Sequence, residues 1–254
     1  MNKMCSLLRM CCAACLLLIV LLPAASRAEE AKGDPLKVIV AAMLEAYGGK
    51  DAVAGVTSVA AKGTITDLMK GREGLYARYF ARPRKLRIEI MPEQGGEVRV
   101  LNGAGGWQGR PDALREARPV TIQSMIYQFA YLDLPTGLAD NSYAVTYAGK
   151  HDLRGREVDL LHVEVNGAPR LKVYVDPVKR LIVRVAADFN MGMGASELAT
   201  EYEDFRRVGK NLLPFRLVNY AGDMKISVLS LSDIQVNGTI PDTLFSPRYG
   251  QSGK

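Results

Sequence analysis

Alternation of apolar and polar side chains, repeated along most of the chain, is the feature that most constrains its fold. Leu86, Ile88 and Ile90 alternate with charged residues, and the same period of two recurs over residues 171–175 and 181–185. Successive side chains of a strand point to opposite faces, so this period predicts strands with one apolar face. Short turns between the strands favour antiparallel neighbours. About ten or eleven such segments predict a mainly β, α+β protein built on a large antiparallel sheet or barrel.

The alternation changes phase within the last long strand candidate. Ile226 and Val228 share one phase, whereas Leu229 and Leu231 share the other. A shift of one residue moves every following side chain to the opposite face unless the strand contains an extra residue. We therefore predict a bulge near Val228.

Two segments have helical periodicity instead. Asp34 and Pro35 are typical of a helix start, and Gly48 and Gly49 are typical of its end. The second helix is predicted over residues 120–131, and its apolar face comprises Ile122, Met125, Ile126, Phe129 and Ala130.

The second helix lies in a long excursion between the strand that ends near Trp107 and the strand that begins near Tyr143. An insertion of this length within a meander is usually a cover or lid. A curved sheet with an apolar concave face must close or be covered, and a cover of short helices favours a cavity for an apolar ligand.

The N-terminus has the pattern of a secretory signal peptide. Lys3 and Arg9 precede the apolar run 16–22, and small residues stand at the −3 and −1 positions of a cleavage site after Ala28. The alternative is a retained membrane anchor, but the uninterrupted apolar run is shorter than the roughly 20 residues of a typical span. We expect residues 1–28 to be removed and residues 29–254 to form a single domain in the periplasm.

Side chains that most enzyme and metal sites need are scarce. All four cysteines fall in the first 15 residues, and the chain has two histidines, His151 at a predicted turn and His162 in a predicted strand. Neither lies in a metal-binding motif, and no serine lies in a Gly-x-Ser-x-Gly turn. The glycine-rich segment 103–106 precedes Trp107 rather than a helix, which indicates a hairpin instead of a phosphate loop. We predict no enzyme activity, catalytic residue, metal site or cofactor.

The charge pattern favours solvated strands. Glu201 and Glu203 share one predicted face and Asp204 the other, as expected of a solvated sheet rather than an acid–base pair. The formal net charge of +6 falls to about +3 without the three basic residues of the signal peptide. The basic run 82–87 alternates as a strand does. These features argue against a nucleic-acid partner.

Several segments, in their order along the chain, resemble the outer-membrane lipoprotein-sorting branch of the LolA-like periplasmic lipoprotein-carrier superfamily. Residues 74–90 are similar to the family's glycine, aromatic strand, Arg-Pro and second strand. Residues 100–107 resemble the hairpin that follows, which ends in Trp. Residues 202–208, 213–216 and 236–245 resemble the paired strands and the closing segment of that branch. The resemblance spans about residues 35–247.

The resemblance implies an unclosed antiparallel β-barrel of about eleven strands, with an N-terminal helix, a helical lid and a cavity that takes acyl chains. It also implies that Arg82, from the Arg-Pro pair, latches the lid of an empty cavity. The alternative for Arg82 is a solvated side chain at a strand end. We expect the ligand-binding cavity and lid to include Tyr79, Trp107, Met125 and Phe129. Met191 and Met193, in a glycine-containing loop, are expected at the cavity mouth, where an exposed hairpin tip is the alternative.

Aromatic residues of the first strands and of the second helix fit a filled core as well as a cavity wall. Both interpretations predict the same periodicity, so the sequence does not distinguish them. The residues concerned are Tyr76, Tyr79, Phe80, Tyr127, Phe129 and Tyr131.

The resulting hypothesis is a monomeric periplasmic carrier or binding protein that shields a lipid, an acylated lipoprotein or another hydrophobic molecule. Its partners would be that ligand and an inner- or outer-membrane envelope protein, and its ligand would be transferred to the outer membrane. The alternative is an envelope sensor or interaction protein with the same fold and no transport role.

Overall fold

The structure, a computed structural model, describes residues 33–190 and 194–247, and its strands form one antiparallel sheet. The thirteen strands of these residues are β1 (Ser58–Asp67), β2 (Arg72–Ala81), β3 (Lys85–Pro92), β4 (Glu97–Asn102), β5 (Gly105–Arg110), β6 (Ala113–Glu116), β7 (Ala144–Asp152), β8 (Glu157–Glu164), β9 (Leu171–Val175), β10 (Ile182–Asn190), β11 (Ala195–Val208), β12 (Asn211–Ala221) and β13 (Met224–Val236). The helices are α1 (Pro35–Tyr47), α2 (Lys50–Ala54) and α3 (Pro119–Ala139), and a short 3-10 helix covers Asp242–Phe245.

The sheet is unclosed, and its topology explains how the helical cover is held. The strand order is β6-β5-β4-β3-β2-β1-β13-β12-β11-β10-β9-β8-β7. β1 therefore pairs with β13 in the middle, whereas β6 and β7 are the two edges. α3 follows β6 and precedes β7, so it connects the two edges. The predicted fold class is confirmed, with thirteen strands where the alternation predicted about eleven.

α1 forms where its caps predict. The Asp34 side chain accepts a hydrogen bond from the backbone N–H of Leu36 at 3.0 Å, and Pro35 occupies the first turn. Gly48 ends the helix at a φ of 130°, and a Cβ there would overlap the carbonyl oxygen of Lys210. Ile39 and Met43 lie on the buried face. The sequence prediction for this helix is confirmed.

α3 extends eight residues beyond the predicted Tyr131 and passes through Pro135. Proline has no N–H, so the Tyr131 carbonyl loses its helical hydrogen bond. The Tyr202 hydroxyl of β11 donates to that carbonyl at 3.5 Å. Nearly every residue after Tyr131 is buried, so this half of the helix has no polar face that periodicity could detect.

None of the helices in the described ranges combines the length and apolarity of a bilayer-crossing helix.

The inner face of the sheet is apolar, as the alternation predicts. Leu86 and Ile88 in β3, and Leu171 and Val173 in β9, are at most 4% exposed and belong to the main core. The prediction for residues 181–185 is wrong at two positions, because Ile182 is 2% exposed in the main core and Val183 lies on the other face. The pairing of β10 with β9 is irregular between Ile182 and Arg184, so Val183 packs against the separate cluster on the opposite face of the sheet.

β13 contains two irregularities, and the first lies two residues from Val228, near the predicted position. Asn219 pairs with Ser227 but Tyr220 pairs with Lys225, so Ile226 is an extra residue. In the pairing of β1 with β13, Ser232 is the extra residue, opposite Lys62 and Gly63. Each extra residue changes which face the following side chains occupy.

The closing segment packs on the outer face of β3 and β4. The Arg87 guanidinium donates to the carbonyl of Leu244 at 3.2 Å, and Lys85 pairs with Asp242 at 2.5 Å. Leu244 and Phe245 are buried in this contact. Apolar residues on both faces of β4 are therefore shielded from water. A sheet with one solvated face would bury apolar residues on one face only.

The seam between β1 and β13 gives a first testable prediction. Gly63 has an extended backbone that any residue adopts, but a Cβ there would overlap the carbonyl oxygen of Ser230. We expect Gly63→Ala to lower the free energy of unfolding by about 1–3 kcal/mol, as overpacking does. Urea denaturation followed by circular dichroism measures this change.

Gly71 supplies the control, because its φ is +61° and no atom lies within 4 Å of a Cβ there. Gly71→Ala should cost about 1–2 kcal/mol through backbone strain alone. A Gly63→Ala variant as stable as wild type would contradict the close approach of β1 and β13.

Candidate functional site

A cavity of about 760 Å³ lies between the inner face of the sheet and α3. Strands β1 to β5 and β11 to β13 contribute to its wall, and α3 contributes Tyr127, Gln128 and Tyr131. The volume falls within the roughly 300–1,000 Å³ of pockets that bind small molecules. Apolar side chains line its interior, among them Ile65, Tyr76, Ile88, Ile90, Leu198 and Leu229.

Charged residues line the mouth of this cavity, where the β1–β2 and β3–β4 turns lie at the same end of the sheet. Lys70 and Asp67 are 3.9 Å apart, and Arg99 pairs with Glu97 at 2.6 Å. Four cations and three carboxylates line the cavity, so their charges nearly balance. An apolar interior with a polar rim suits a ligand with a long apolar part.

A second, smaller cavity of about 60 Å³ lies deeper, beside Pro135 of α3. Its wall includes Tyr47, Phe80, Tyr202 and Ile182, and Tyr131 lines this cavity as well as the main one. Arg78 also lines it and is 4% exposed. Two nitrogens of its guanidinium, Nε and Nη1, have no hydrogen-bond partner among the described residues.

Buried hydroxyl groups of α3 form hydrogen bonds that hold the helix against the sheet and α2. The Tyr127 hydroxyl donates to the carbonyl of Val185 in β10 at 3.0 Å, and its ring makes an edge contact with Phe189 at 5.6 Å. Thr136 donates to the carbonyl of Val53 at 3.2 Å, which ties α3 to α2. Burial raises the pKa of the Tyr127 phenol, so it stays protonated and remains a donor.

Arg82, in the β2–β3 turn, holds the C-terminal end of α3. Its Nε lies 2.9 Å from the Asp133 carboxylate, and Nη1 donates to Asp140 at 2.5 Å. Nη2 donates to the Ser142 hydroxyl at 3.1 Å. The partners are thus two carboxylates and a hydroxyl. The Arg82 side chain is 21% exposed, and Asp133 is 2% exposed, so one partner of the pair is desolvated.

Asp133 is the most perturbed carboxyl of this cluster. Burial raises its pKa to about 6, which outweighs the lowering by the Tyr143 hydrogen bond and the Arg82 charge. Burial also raises the pKa of Asp140, but hydrogen bonds from Arg82 and Ser142 outweigh it, and the net shift is downward. The pKa values of two carboxyl groups that share one guanidinium are therefore shifted in opposite directions.

The structure separates the other predicted site residues from the cavities. Tyr79 lies on the opposite face of β2 from Arg78 and Phe80, because side chains alternate along a strand. Trp107 faces away from α3, since a Cβ at the preceding Gly106 would lie 2.9 Å from Ile122 of that helix.

The two predicted residues of α3 pack in its interface with the sheet. Met125 is 1% exposed, and the Phe129 ring stacks on Phe80 at 4.9 Å, and neither lines the main or the smaller cavity. Met191 and Met193 lie outside the described residues.

Arg78 and Arg99 are the cavity residues that the sequence analysis missed. The signal was present, because Tyr76, Arg78 and Phe80 share one phase of β2 and therefore one face. A charged residue in the apolar phase of a strand is the pattern that marks a buried polar site.

The remaining candidates for chemistry have structural partners. Glu201 pairs with Arg184 at 2.9 Å and accepts from the Tyr220 hydroxyl at 2.7 Å, and Glu203 pairs with Arg216. His151 lies within β7 rather than at a turn, 5.4 Å from the Tyr174 ring. Across the described ranges, no group of three or more His, Cys, Asp or Glu side chains is arranged to hold a metal.

Comparisons with solved structures identify the fold. A domain described as an outer membrane lipoprotein-sorting protein domain, from Vibrio parahaemolyticus, superposes with a TM-score of 0.54 at 12% identity, over 81% of this chain and 97% of that chain. A DUF1329 family protein from Desulfovibrio piger gives 0.55 at 11% identity, over 85% and 99% of the two chains. A LolA superfamily protein from Nitrosomonas europaea gives 0.50 at 14% identity, over 84% and 98%.

The fold is therefore LolA-like, as the resemblance of the sequence segments implied. No protein-family model and no curated protein matches the sequence itself. At identities of 11–14%, these neighbours are evidence for the fold alone.

The Arg82 cluster gives a prediction with a definite sign. The Asp133 carboxyl binds its proton more tightly in the folded protein than in the unfolded chain, where its pKa is about 3.9. Ionisation of Asp133 is therefore less favourable in the folded protein. It lowers the free energy of unfolding of wild type by about 2–3 kcal/mol as the pH rises from about 4 to about 6, and no further above that range. Asp133→Asn should remove this dependence.

The measurement is the difference in unfolding free energy between wild type and variant as a function of pH. Asp140→Asn is the matched control, because the lowered pKa of Asp140 stabilises the folded state above the unfolded value. Relative to wild type, Asp133→Asn should gain stability as the pH rises, whereas Asp140→Asn should lose it. Parallel curves for the two variants would contradict the assigned pKa directions.

Proposed function

We propose that this protein is a periplasmic carrier that shields the acyl chain of a lipid or lipoprotein and performs no chemistry on it. The observation that supports this most directly is the cavity of about 760 Å³ under α3, within a LolA-like fold. Burial of apolar surface supplies the affinity, at roughly 25 cal/mol per Å². Delivery to the periplasm is inferred from the signal-peptide pattern of residues 1–28, and residues 29–254 are then the single working domain.

α3 acts as the lid in this proposal, and Arg82 is its latch. The helix connects the two open edges of the sheet, so its displacement opens the cavity without breaking the pairing between strands. The ion pairs of Arg82 with Asp133 and Asp140 hold the end of the helix that precedes β7. A ligand that binds the open state more tightly shifts the equilibrium between the closed and open lid. The free energy of this shift is limited by the difference between its binding free energies for the two states.

Exposed apolar side chains beside the mouth suit transfer of the ligand to a membrane or an acceptor protein. Leu68 is 45% exposed and Met69 58% exposed in the β1–β2 turn, and Met224 is 51% exposed at the start of β13, next to the β12–β13 turn. The two turns are neighbours, because the Leu68 N–H donates to the carbonyl of Ile226 at 3.0 Å. Exposed apolar side chains that lie close together are typical of a surface that binds another apolar surface.

The first experiment identifies the ligand class. The full chain is expressed in a bacterial periplasm, purified without detergent, and examined by native mass spectrometry and by analysis of extracted lipids. A bound acyl lipid or acylated peptide in stoichiometric amount is the expected result. Protein that is free of lipid and takes up no lipid from vesicles would contradict the carrier function.

A substitution that fills the cavity tests the site. Ser124 of α3 lines the main cavity, whereas the adjacent Gln123 is exposed. We expect Ser124→Trp to weaken binding of the neutral dye N-phenylnaphthylamine at least about tenfold, which corresponds to about 1.4 kcal/mol. Gln123→Trp introduces the same side chain one position away and should bind the dye as wild type does. Equal affinities in the two variants would place the ligand elsewhere.

A second pair of variants tests the latch. Removing one partner of a buried ion pair costs about 3–5 kcal/mol, and less where a partner is partly exposed, as Arg82 is. Arg82→Gln should therefore accelerate dissociation of a bound dye at least about tenfold in stopped-flow measurements. Arg84→Gln removes the same charge from the same turn and should leave the rate unchanged. A lid that is not held by Arg82 would give the same rate in both variants.

A further inference from the structure

Arg78 is a buried charge that the proposed carrier function leaves unexplained. It lies in the middle of β2 between Tyr76 and Phe80, with 4% of its surface exposed. Nε and Nη1 of its guanidinium are buried and have no hydrogen-bond partner among the described residues. The Tyr76 hydroxyl is the neighbour with which its side chain forms a hydrogen bond.

A buried guanidinium without an anion is costly, and arginine does not relieve the cost by losing its proton. Carboxylates on neighbouring elements pair with other cations. Glu97 at the mouth pairs with Arg99 at 2.6 Å, and Asp133 of α3 pairs with Arg82 at 2.9 Å. Phenols and apolar side chains therefore make up the surroundings of Arg78, and neutral phenols donate to an anion without compensating a cation.

The space beside Arg78 is small and shares a wall residue, Tyr131, with the main cavity. The cavity of about 60 Å³ that Arg78 lines exceeds the roughly 30 Å³ occupied by one water molecule and is close to the size of a compact polar group. Tyr131 lines both cavities, and Tyr76 lines the main cavity while contacting Arg78. A group bound at Arg78 is thus one tyrosine ring away from the space proposed for the acyl chain.

We propose that Arg78 binds the carboxylate of a long-chain fatty acid whose hydrocarbon chain lies in the main cavity. The inference rests on the proposed function and narrows its ligand class. Nε and Nη1 are two donors without a partner among the described residues, and a carboxylate oxygen that accepts from either of them compensates the charge of the guanidinium. The ligand enters with its carboxylate first, past the rim of the main cavity, and its charge compensates that of Arg78.

The test compares palmitate with its methyl ester, which has the same chain and no charge. Each displaces N-phenylnaphthylamine from the full chain, purified and delipidated, at about pH 8. Wild type should bind palmitate at least about tenfold more tightly than methyl palmitate. Arg78→Met keeps a long side chain without charge, and it should bind the two ligands equally.

Arg99→Met is the second variant and tests the competing site, because it removes a cation that lines the main cavity and pairs with Glu97. It should retain the preference for palmitate. Loss of the preference in Arg99→Met but not in Arg78→Met would assign the carboxylate to the mouth and overturn the inference.

A spectroscopic measurement on wild type keeps the inference testable if Arg78→Met does not fold. Palmitate labelled with ¹³C at the carboxyl carbon should stay ionised in the complex at pH values where free fatty acid becomes protonated, because a buried guanidinium favours the carboxylate. A bound carboxyl that titrates as free palmitate does would overturn the inference.

The outcomes separate this inference from the proposed function. Equal displacement by palmitate and its ester in wild type would overturn the role of Arg78 and leave the carrier function intact. Displacement by neither ligand would overturn both.

Discussion

The burial of α3 against the concave face of an open sheet is the constraint on which the rest of this structure depends. Because β1 pairs with β13 in the centre, the two halves of the chain leave β6 and β7 as unpaired edges, and α3 is the connection between them. A sheet with an apolar inner face and two open edges exposes that face unless a helix lies across it. The helix covers part of the face closely, through Met125, Phe129 and Leu134, and leaves the remainder as a cavity.

The charges inside and beside the barrel follow from that arrangement. Arg82 lies at the point where the end of α3 meets the β2–β3 turn, and its two carboxylate partners come from that end of the helix. Arg78 lies four residues earlier in β2, where α3 contributes Tyr131, Leu132 and Pro135 to the small cavity but no carboxylate. One arginine is therefore compensated within the protein, and the other is compensated when a ligand supplies the anion. The arginine that holds the lid and the arginine proposed to bind the ligand are thus four residues apart in the sequence.

Pro135 shows how a local irregularity serves the same region. The proline removes a hydrogen bond from the Tyr131 carbonyl, the Tyr202 hydroxyl replaces it, and the small cavity lies beside this position. The helix end is thereby tied to β11 as well as to Arg82. Outer-face ion pairs such as Arg184 with Glu201 stabilise the wall of the barrel without contributing to the space inside it.

The sequence by itself determined the antiparallel sheet, α1 and the first half of α3, because periodicity and capping are local properties. Leu86, Ile88 and the cap formed by Asp34 needed no knowledge of distant residues. Segment resemblance also indicated the LolA-like fold and the position of Arg82. The bulges at Ile226 and Ser232, the second half of α3 and the outward direction of Val183 were decided by tertiary pairing, since an extra residue changes the face without changing composition.

The cavity was the least predictable feature. A tyrosine in a filled core and a tyrosine in a cavity wall have the same period, so the difference between Phe129 and Tyr131 arises from the distance between α3 and each strand. The inward phase of Arg78 was visible in the alternation of β2, but its lack of a carboxylate partner depended on which side chains the fold brings to it from α3, β4 and β11. Within a regular strand, the local pattern specifies which face a side chain occupies, and only the packed structure decides which residues it contacts there.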